Sequence, residues 1–446
     1  MKTCITFLLL TLTVQLMSQS SDTTFFPSFE PYSEEPIIHF GDEIEGSPWN
    51  DPTILKEGDQ YIMYVVGVEG GLNHPNDTIS VYRWLSDDGY SWDLNPELPV
   101  LEAVENTYYG GGVETPSVVF FNNEYHMYNS VYTENNPYLF KISHATSPDG
   151  INWEIDDAPV LEPAEDLTWM NTIVAEPGVM VKQDTLYLFY TAAGTVGNQS
   201  IGLVRSNDGH TFTDTTQVVT LPTDVYPEDG NYAGLSTPSP LLLGDTIYLF
   251  TDVAQYVFGD NWMQVALHQF KSYGNLTQWY HDSEPIHTRN DFPWTNGNYL
   301  AEIRSITPLM DGDNLRIWYS GHNISEIDTL TNDTTNHVFF IGDELHVNYG
   351  NWGIGTSEYL FDTSSSLTEN KNDDPGIKIS YHQNKGIIET NENLESLLSV
   401  YSITGKLLFR KKFMKNLNFT INHSGVIMIN VTNEKIDITE KHLSTK

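Results

Sequence analysis

The chain repeats itself, and that repeat limits its fold more than any other feature. One unit opens Asn50-Asp51-Pro52-Thr53-Ile54 and continues Asp59-Gln60-Tyr61-Ile62-Met63-Tyr64. A second reads Glu114-Thr115-Pro116-Ser117-Val118, then Asn123-Glu124-Tyr125-His126-Met127-Tyr128. A third begins Ala175-Glu176-Pro177-Gly178-Val179, a fourth Ser236-Thr237-Pro238-Ser239-Pro240, and a looser fifth Arg304-Ser305-Ile306-Thr307-Pro308. The period is roughly 60 residues, and self-similarity of this kind marks a repeat architecture. Each unit reads as an apolar strand, a Gly/Asn/Asp turn and an alternating aromatic strand. A third strand follows and runs into a polar turn, as in Ser147-Pro148-Asp149-Gly150-Ile151-Asn152-Trp153 and Ser86-Asp87-Asp88-Gly89-Tyr90-Ser91-Trp92. Pro99-Val100-Leu101 and Pro159-Val160-Leu161 mark a short fourth strand. Four strands per unit, arranged radially, make a propeller blade.

The expected fold is therefore all-β, a five-bladed β-propeller followed by a small β-sandwich-like domain. Pro36-Ile37-Ile38 resembles a fourth strand yet precedes the first blade, while the fifth blade ends near Trp352-Gly353-Ile354-Gly355-Thr356 without one. An N-terminal strand that completes the last blade would remove the exposed edges. On this reading residues 1–20 are a signal peptide, 30–362 the propeller, 363–376 a polar linker and 377–446 a C-terminal domain. Residues 325–351 form an insertion between strands of the fifth blade. Lys2 and the apolar run Ile5 to Leu16 have the form of a targeting segment, too short for a permanent anchor. The protein is expected to be secreted or held at the cell surface, with no membrane span. The one cysteine, Cys4, lies in that segment, so the mature chain has no disulfide or thiolate metal site.

A formal net charge of -39 argues against nucleic acid and anionic membrane surfaces as partners. Most of that charge is surface solvation. A few acids occupy a more specific place. Aligning the units puts Asp51, Thr115, Glu176, Thr237 and Ser305 at one equivalent position, with Glu114, Ser236 and Arg304 one residue earlier and Glu302 two further back. Innermost propeller strands converge on an axial pocket. Carboxylates from different blades would then meet beside one arginine, an arrangement suited to acid–base work on a glycosidic bond. Asp51 is the candidate base, Glu176 comes next, and Glu114 is an acid or a hydroxyl acceptor. The alternative is that such acids only cap turns and Arg304 only neutralises them. Trp49, Tyr108, Tyr109, Trp169, Trp294 and Tyr299 precede the innermost strands and are expected to rim the pocket, with Glu302 and Arg304 as further substrate contacts. Trp92, Trp153, Tyr64, Tyr128 and Tyr187 repeat and are read as core. Gly110-Gly111-Gly112 gives backbone freedom beside Glu114. The histidines show no zinc spacing; His126, His144 and His268 read as structural, whereas His287 and His322 lie near blade tops. No metal or cofactor is required, although a structural calcium is compatible with so many carboxylates.

Trp49-Asn50-Asp51-Pro52, the Ser-Pro-Asp-Gly-Ile-Asn-Trp turn and the Pro-Val-Leu segments resemble the arabinanase/levansucrase/invertase superfamily, which includes glycoside hydrolase families 32 and 43. The resemblance implies a first-blade Asp as base or nucleophile, matched by Asp51, and a third-blade acid that orients and tunes, matched by Glu176 in place of the usual Asp. It also implies a later-blade Glu as general acid. Here the fourth-blade equivalent is Thr237, so the acid is Glu114, Glu302 or Glu228-Asp229, or is absent. Arg304 matches a fifth-blade arginine of such pockets. The C-terminal region, through Leu398 to Lys406, Ser424 to Val431 and its final lysines, resembles the sorting domain of the type IX secretion system. This implies the secretion machinery as a partner. A glycosidase on an extracellular polysaccharide or oligosaccharide and a non-catalytic carbohydrate-binding propeller both fit. A sialidase-like reading lacks an arginine trio.

Overall fold

The structure is a computed structural model of the 446-residue chain. It describes residues 25–26, 28–68, 79–258, 261–274, 276–295, 301–312, 314–322, 326–327, 337–341, 344–347 and 352–359. In the C-terminal region it describes 377–382, 385–390, 395–402, 407–414, 416–420, 425–432 and 437–444. The targeting segment and the linker lie outside these residues.

Five antiparallel sheets follow one another along the chain as blades. The first comprises Asn50–Glu57, Gln60–Val68, Ile79–Ser86 and Asp93–Leu94. The second comprises Gly112–Phe121, Glu124–Thr133, Asn136–Ser147 and Glu154–Ile155. The third comprises Ile173–Lys182, Thr185–Ala193, Ser200–Ser206 and Thr213–Val219. The fourth is built on Tyr232–Leu243, Thr246–Phe258 and Asn261–Tyr273, with the short strands Tyr280–His281 and His287–Thr288 outside. The fifth uses Glu302–Asp311, Asn314–His322 and Gly353–Tyr359, and its outer strand is Glu30–Pro31 from the N-terminus. The ring closes as expected, but through Glu30–Pro31; Pro36-Ile37-Ile38 adds only a bridge from Ile38 to Ile354. Pro36 has no amide hydrogen to donate to a ladder. Likewise Leu101 and Leu161 form single bridges to Val81 and Ile142.

The apolar side chains are buried between blades. One cluster joins Ile62, Tyr64 and Val81 of the first blade to Val113, Val118 and Met127 of the second. Equivalent clusters join the second to the third, the third to the fourth and the fourth to the fifth. The closing interface joins Trp49, Met63 and Trp84 to Trp318 and Ile354. Sheet faces that each bury against two neighbours explain why the strands read as near-continuous apolar runs.

Two polar devices recur on this scaffold. The Ser-x-Asp-Gly turn closes on its own side chains: Asp149 Oδ1 accepts the amides of Ile151 and Asn152, and Asp88 and Asp208 do the same in their turns. The following glycines adopt φ of 77°, 71° and 84° at Gly89, Gly150 and Gly209, a region costly for a residue bearing Cβ. Each glycine carbonyl then accepts from the preceding blade: Gly150 from the Tyr64 hydroxyl at 2.8 Å, Gly209 from Tyr128 at 2.7 Å and Gly89 from Trp318 Nε1 at 3.1 Å. Of the repeating tyrosines, Tyr64 and Tyr128 are buried core residues, whereas Tyr187 is half-buried beneath Arg205.

Within the insertion, Glu326–Ile327, His337–Ile341 and Glu344–Val347 form a separate small sheet. The C-terminal strands form a three-stranded and a four-stranded antiparallel sheet, with Ile388, Leu398, Val400, Leu417 and Phe419 buried. Among the described residues no helix is long and apolar enough to cross a membrane.

Candidate active site

Every innermost strand breaks register at the same point. Pairing to the second strand jumps between Asn50 and Thr53, Glu114 and Ser117, Ala175 and Gly178, Ser236 and Ser239, and Arg304 and Thr307. At each bulge one residue takes a left-handed backbone: φ is 53° at Asp51, 50° at Thr115, 51° at Glu176, 48° at Thr237 and 55° at Ser305. Such a bulge re-aims side chains that would otherwise alternate between faces. Glu114 and Thr115 are consecutive, and both line the central cavity.

The bulges are held by a ring of contacts between blades. The Asp51 amide donates to Ser320 Oγ (2.9 Å), Glu176 to Ser130 Oγ (2.6 Å), Thr237 to Thr191 Oγ1 (2.9 Å) and Ser305 to Asp252 Oδ1 (3.0 Å). The acceptors are equivalent positions on the second strands. In the first blade that position is Val66, which carries no acceptor and lines the cavity instead.

The cavity has a volume of about 510 Å³, within the range of small-ligand sites. Glu114, Glu176, Glu302 and Arg304 line it. Arg304 is the hub: its Nε lies 3.4 Å from Asp51 Oδ1 and its Nη2 3.2 Å from Glu176 Oε1. Burial alone would lower the arginine's pKa, but Asp51, Glu176, Glu302 and Asp252 together hold it well above its ordinary value. Because one guanidinium touches both, the nearest oxygens of Asp51 and Glu176 lie within the upper limit of roughly 9.5 Å for carboxyl pairs in glycoside hydrolysis. Asp51 itself is almost fully buried and is not among the residues that line the cavity, which it meets only through Arg304, and Ser305 Oγ donates to the same Oδ1. Glu176 Oε2 accepts from the Thr237 amide at 3.1 Å. Glu302 is tied by the Gln264 amide and His322 Nε2, each at 3.0 Å, and His322 packs on Trp352.

Glu114 differs from these acids. Among the described residues its side chain makes no hydrogen bond, although it lines the cavity. Burial, then the nearby charge of Asp51, push its pKa up to about 8, against the opposing pull of Arg304. It is a carboxyl that keeps its proton at neutral pH beside carboxylates held by a cation.

Asp252 escaped the sequence reading. It is fully buried on the second strand of the fourth blade, hydrogen-bonded to the Thr237 hydroxyl and the Ser305 amide. Burial raises its pKa well above the ordinary carboxylate value despite Arg304. Its signal was available: its equivalents in three other blades are Ser130, Thr191 and Ser320, all acceptors. Glu228-Asp229 form a short 3-10 turn and do not line the cavity.

The expected aromatic rim is placed elsewhere. Trp49 is fully buried, packed edge-on against Tyr82 and Trp84 in the closing interface. Tyr108 and Tyr109 pack on each other, Trp169 stacks on Tyr190 and Trp294 on Tyr319. None of the five lines the cavity; Tyr299 lies outside the described residues. The lining aromatics are Tyr132, Phe140, Trp262 and Trp352, the first three from hairpins between second and third strands. Gly111 and Gly112 serve this arrangement: a Cβ at either would come within 2.6 Å of Tyr132 side-chain atoms. Neither uses a left-handed backbone, so close approach rather than conformational freedom explains them. His287 bonds to Ser357 within an aromatic cluster away from the axis.

No protein-family model matches the sequence, and no curated protein is similar to it at a significant level. Solved structures share its fold. A glycoside hydrolase superposes with a TM-score of 0.54 at 15% identity, over 76% of this chain and 94% of that one. A glycosyl hydrolase from Bacteroides ovatus gives 0.53 at 12% identity, over 75% and 94%. An α-L-arabinofuranosidase from Lactobacillus brevis gives 0.51 at 12% identity, over 72% and 92%. At such identities the likeness establishes the fold.

Proposed function

We propose that the axial cavity binds a carbohydrate and hydrolyses a glycosidic bond, with Glu114 as general acid and Asp51 as the carboxylate that activates water or attacks. The observation that carries this is the contrast between the two acids. Among the described residues the Glu114 side chain has no hydrogen-bond partner; it holds its proton and lines the cavity, while Asp51 is fixed as an ion pair with Arg304. Hydrolysis needs one carboxyl of each kind across the scissile bond. Glu176 then orients Arg304 and tunes the pair. Tyr132, Phe140 and Trp262 offer apolar faces against which a sugar ring stacks. The activities of two fold neighbours, a glycosyl hydrolase and an arabinofuranosidase, support this reading by analogy. The test is a screen of polysaccharides and aryl glycosides with the full chain, Asp51→Asn and Glu114→Gln. Activity abolished by the first change on both substrate types, and sharply reduced by the second on natural glycosides, is expected. Activity indifferent to both defeats the assignment. Binding of glycans without turnover would favour the non-catalytic propeller, which Thr237 in place of a fourth-blade glutamate already makes a coherent alternative.

The C-terminal region, read as a sorting domain for the type IX secretion machinery, and the N-terminal targeting segment support a reading in which this chemistry takes place outside the cell. Deleting 377–446 should leave the propeller in the periplasm of its host. Undiminished surface delivery of the truncated chain would refute the sorting role.

A further inference from the structure

Three ligand-type side chains far apart in sequence meet where the second and third blades join. His144 stands on the third strand of the second blade, Asp156 directly follows that blade's fourth strand, and His210 belongs to the third blade's Ser206–His210 turn. Asp156 Oδ2 lies 2.9 Å from His144 Nδ1 and 3.1 Å from His210 Nδ1. The three ligand atoms lie within 4.8 Å of one another, the one such group among the described residues. We propose that His144, Asp156 and His210 form a zinc site that staples the second blade to the third.

The donor chemistry fits. Two imidazoles and one carboxylate suit a borderline cation such as zinc better than calcium or magnesium, which prefer oxygen shells. Three protein ligands leave a fourth position for water, and His210 and Asp156 are open to solvent on that side, with side chains 46% and 29% exposed. Ligand atoms around tetrahedral zinc stand about 3.3 Å apart, so the two Asp156 separations open by a few tenths of an ångström and the two imidazole nitrogens, within 4.8 Å of each other, draw together.

The surroundings hold the ligands in place. His144 is fully buried, which fixes the orientation of its ring. His144 Nε2 lies 2.9 Å from His126 Nδ1. With zinc on Nδ1, the His144 proton sits on Nε2 and is donated to His126, the outer-shell bond that metal-bound histidines commonly make. His126 Nε2 in turn faces Glu124 Oε1 at 3.9 Å. The turn that carries His210 is pinned to the second blade by the Tyr128–Gly209 bond. The repeat does not require any of this: where the first blade meets the second, the equivalent positions are Arg83, Asn95 and Ile151. The scaffold is kept there without the ligands.

The experiment is titration of the metal-stripped full chain with zinc sulfate, read by calorimetry and by thermal unfolding, with calcium chloride as control. One zinc per chain and a midpoint that rises with zinc concentration are expected. Asp156→Asn and His210→Ala, both at solvent-accessible positions, should each weaken zinc binding at least about tenfold. They should leave the zinc-free unfolding midpoint close to that of wild type. Absence of stoichiometric zinc binding, or equal affinity in wild type and both variants, overturns the proposal and leaves a hydrogen-bonded His–Asp–His chain. Glycosidase activity plays no part in the readout, so this test and that of the axial site fail separately.

Discussion

Replacing Glu114 by Gln isolates the acid role. With a pKa of about 8, the carboxyl is about nine-tenths protonated at pH 7 and about one-tenth at pH 9. If the proton it holds is the one given to the leaving oxygen, wild-type kcat/KM should fall about tenfold between those two values. Gln keeps the shape and cannot donate a carboxylic proton. On a natural glycoside, whose leaving alcohol needs that proton, the loss should be about 10² to 10⁴-fold. On an aryl glycoside with a strongly acidic phenol as leaving group the variant should approach wild type, since such a phenolate departs unassisted. The alkaline limb should also vanish. Initial rates on the two substrate types from pH 5 to 10 provide the assay. Equal losses on both, or an alkaline limb that survives in Glu114→Gln, would show that Glu114 only contacts sugar hydroxyls.

The same acids link stability to pH. Glu114 is raised from 4.5 to about 8 and Asp252 is raised as well, so between roughly pH 4.5 and 8 the folded chain binds more protons than the unfolded one. Their contribution therefore weakens as pH rises through that window, by at most about 1.4 kcal/mol per pH unit for each group. Urea midpoints at pH 5 and 7.5 should converge in Glu114→Gln relative to wild type; an unchanged difference would contradict the raised pKa. Gly178→Ala tests the blade interface: its Cβ would lie 1.7 Å from the Pro238 carbonyl oxygen, backbone that cannot yield without parting the third and fourth blades. A loss of about 1–3 kcal/mol or more in chemical denaturation is expected. A variant as stable as wild type would show that this interface is not tightly packed.

Much of the molecule was legible in the sequence alone. Blade number, strand order and an N-terminal strand closing the last blade follow from a repeat in which each unit carries its own alternation and turn residues. These are local properties, written within about ten residues at a time. The shared register of Asp51 and Glu176 was legible for the same reason, because a repeat maps equal sequence positions to equal places around an axis. Asp252 was missed because it sits on the second strand, whose repeat position looked like scaffold. It also supplies part of the inter-blade ring. The aromatic rim was misplaced because which side chains face the axial cavity depends on how the blades pack, which alternation along a strand does not encode. Thus Tyr132 and Trp262 reach the cavity whereas Trp49 is enclosed by the closing interface. His144, Asp156 and His210 show no ligand spacing along the chain and meet only when two blades pack. Tertiary structure alone decided which side chains share a cavity, because radial packing sets the distances between residues that belong to different blades.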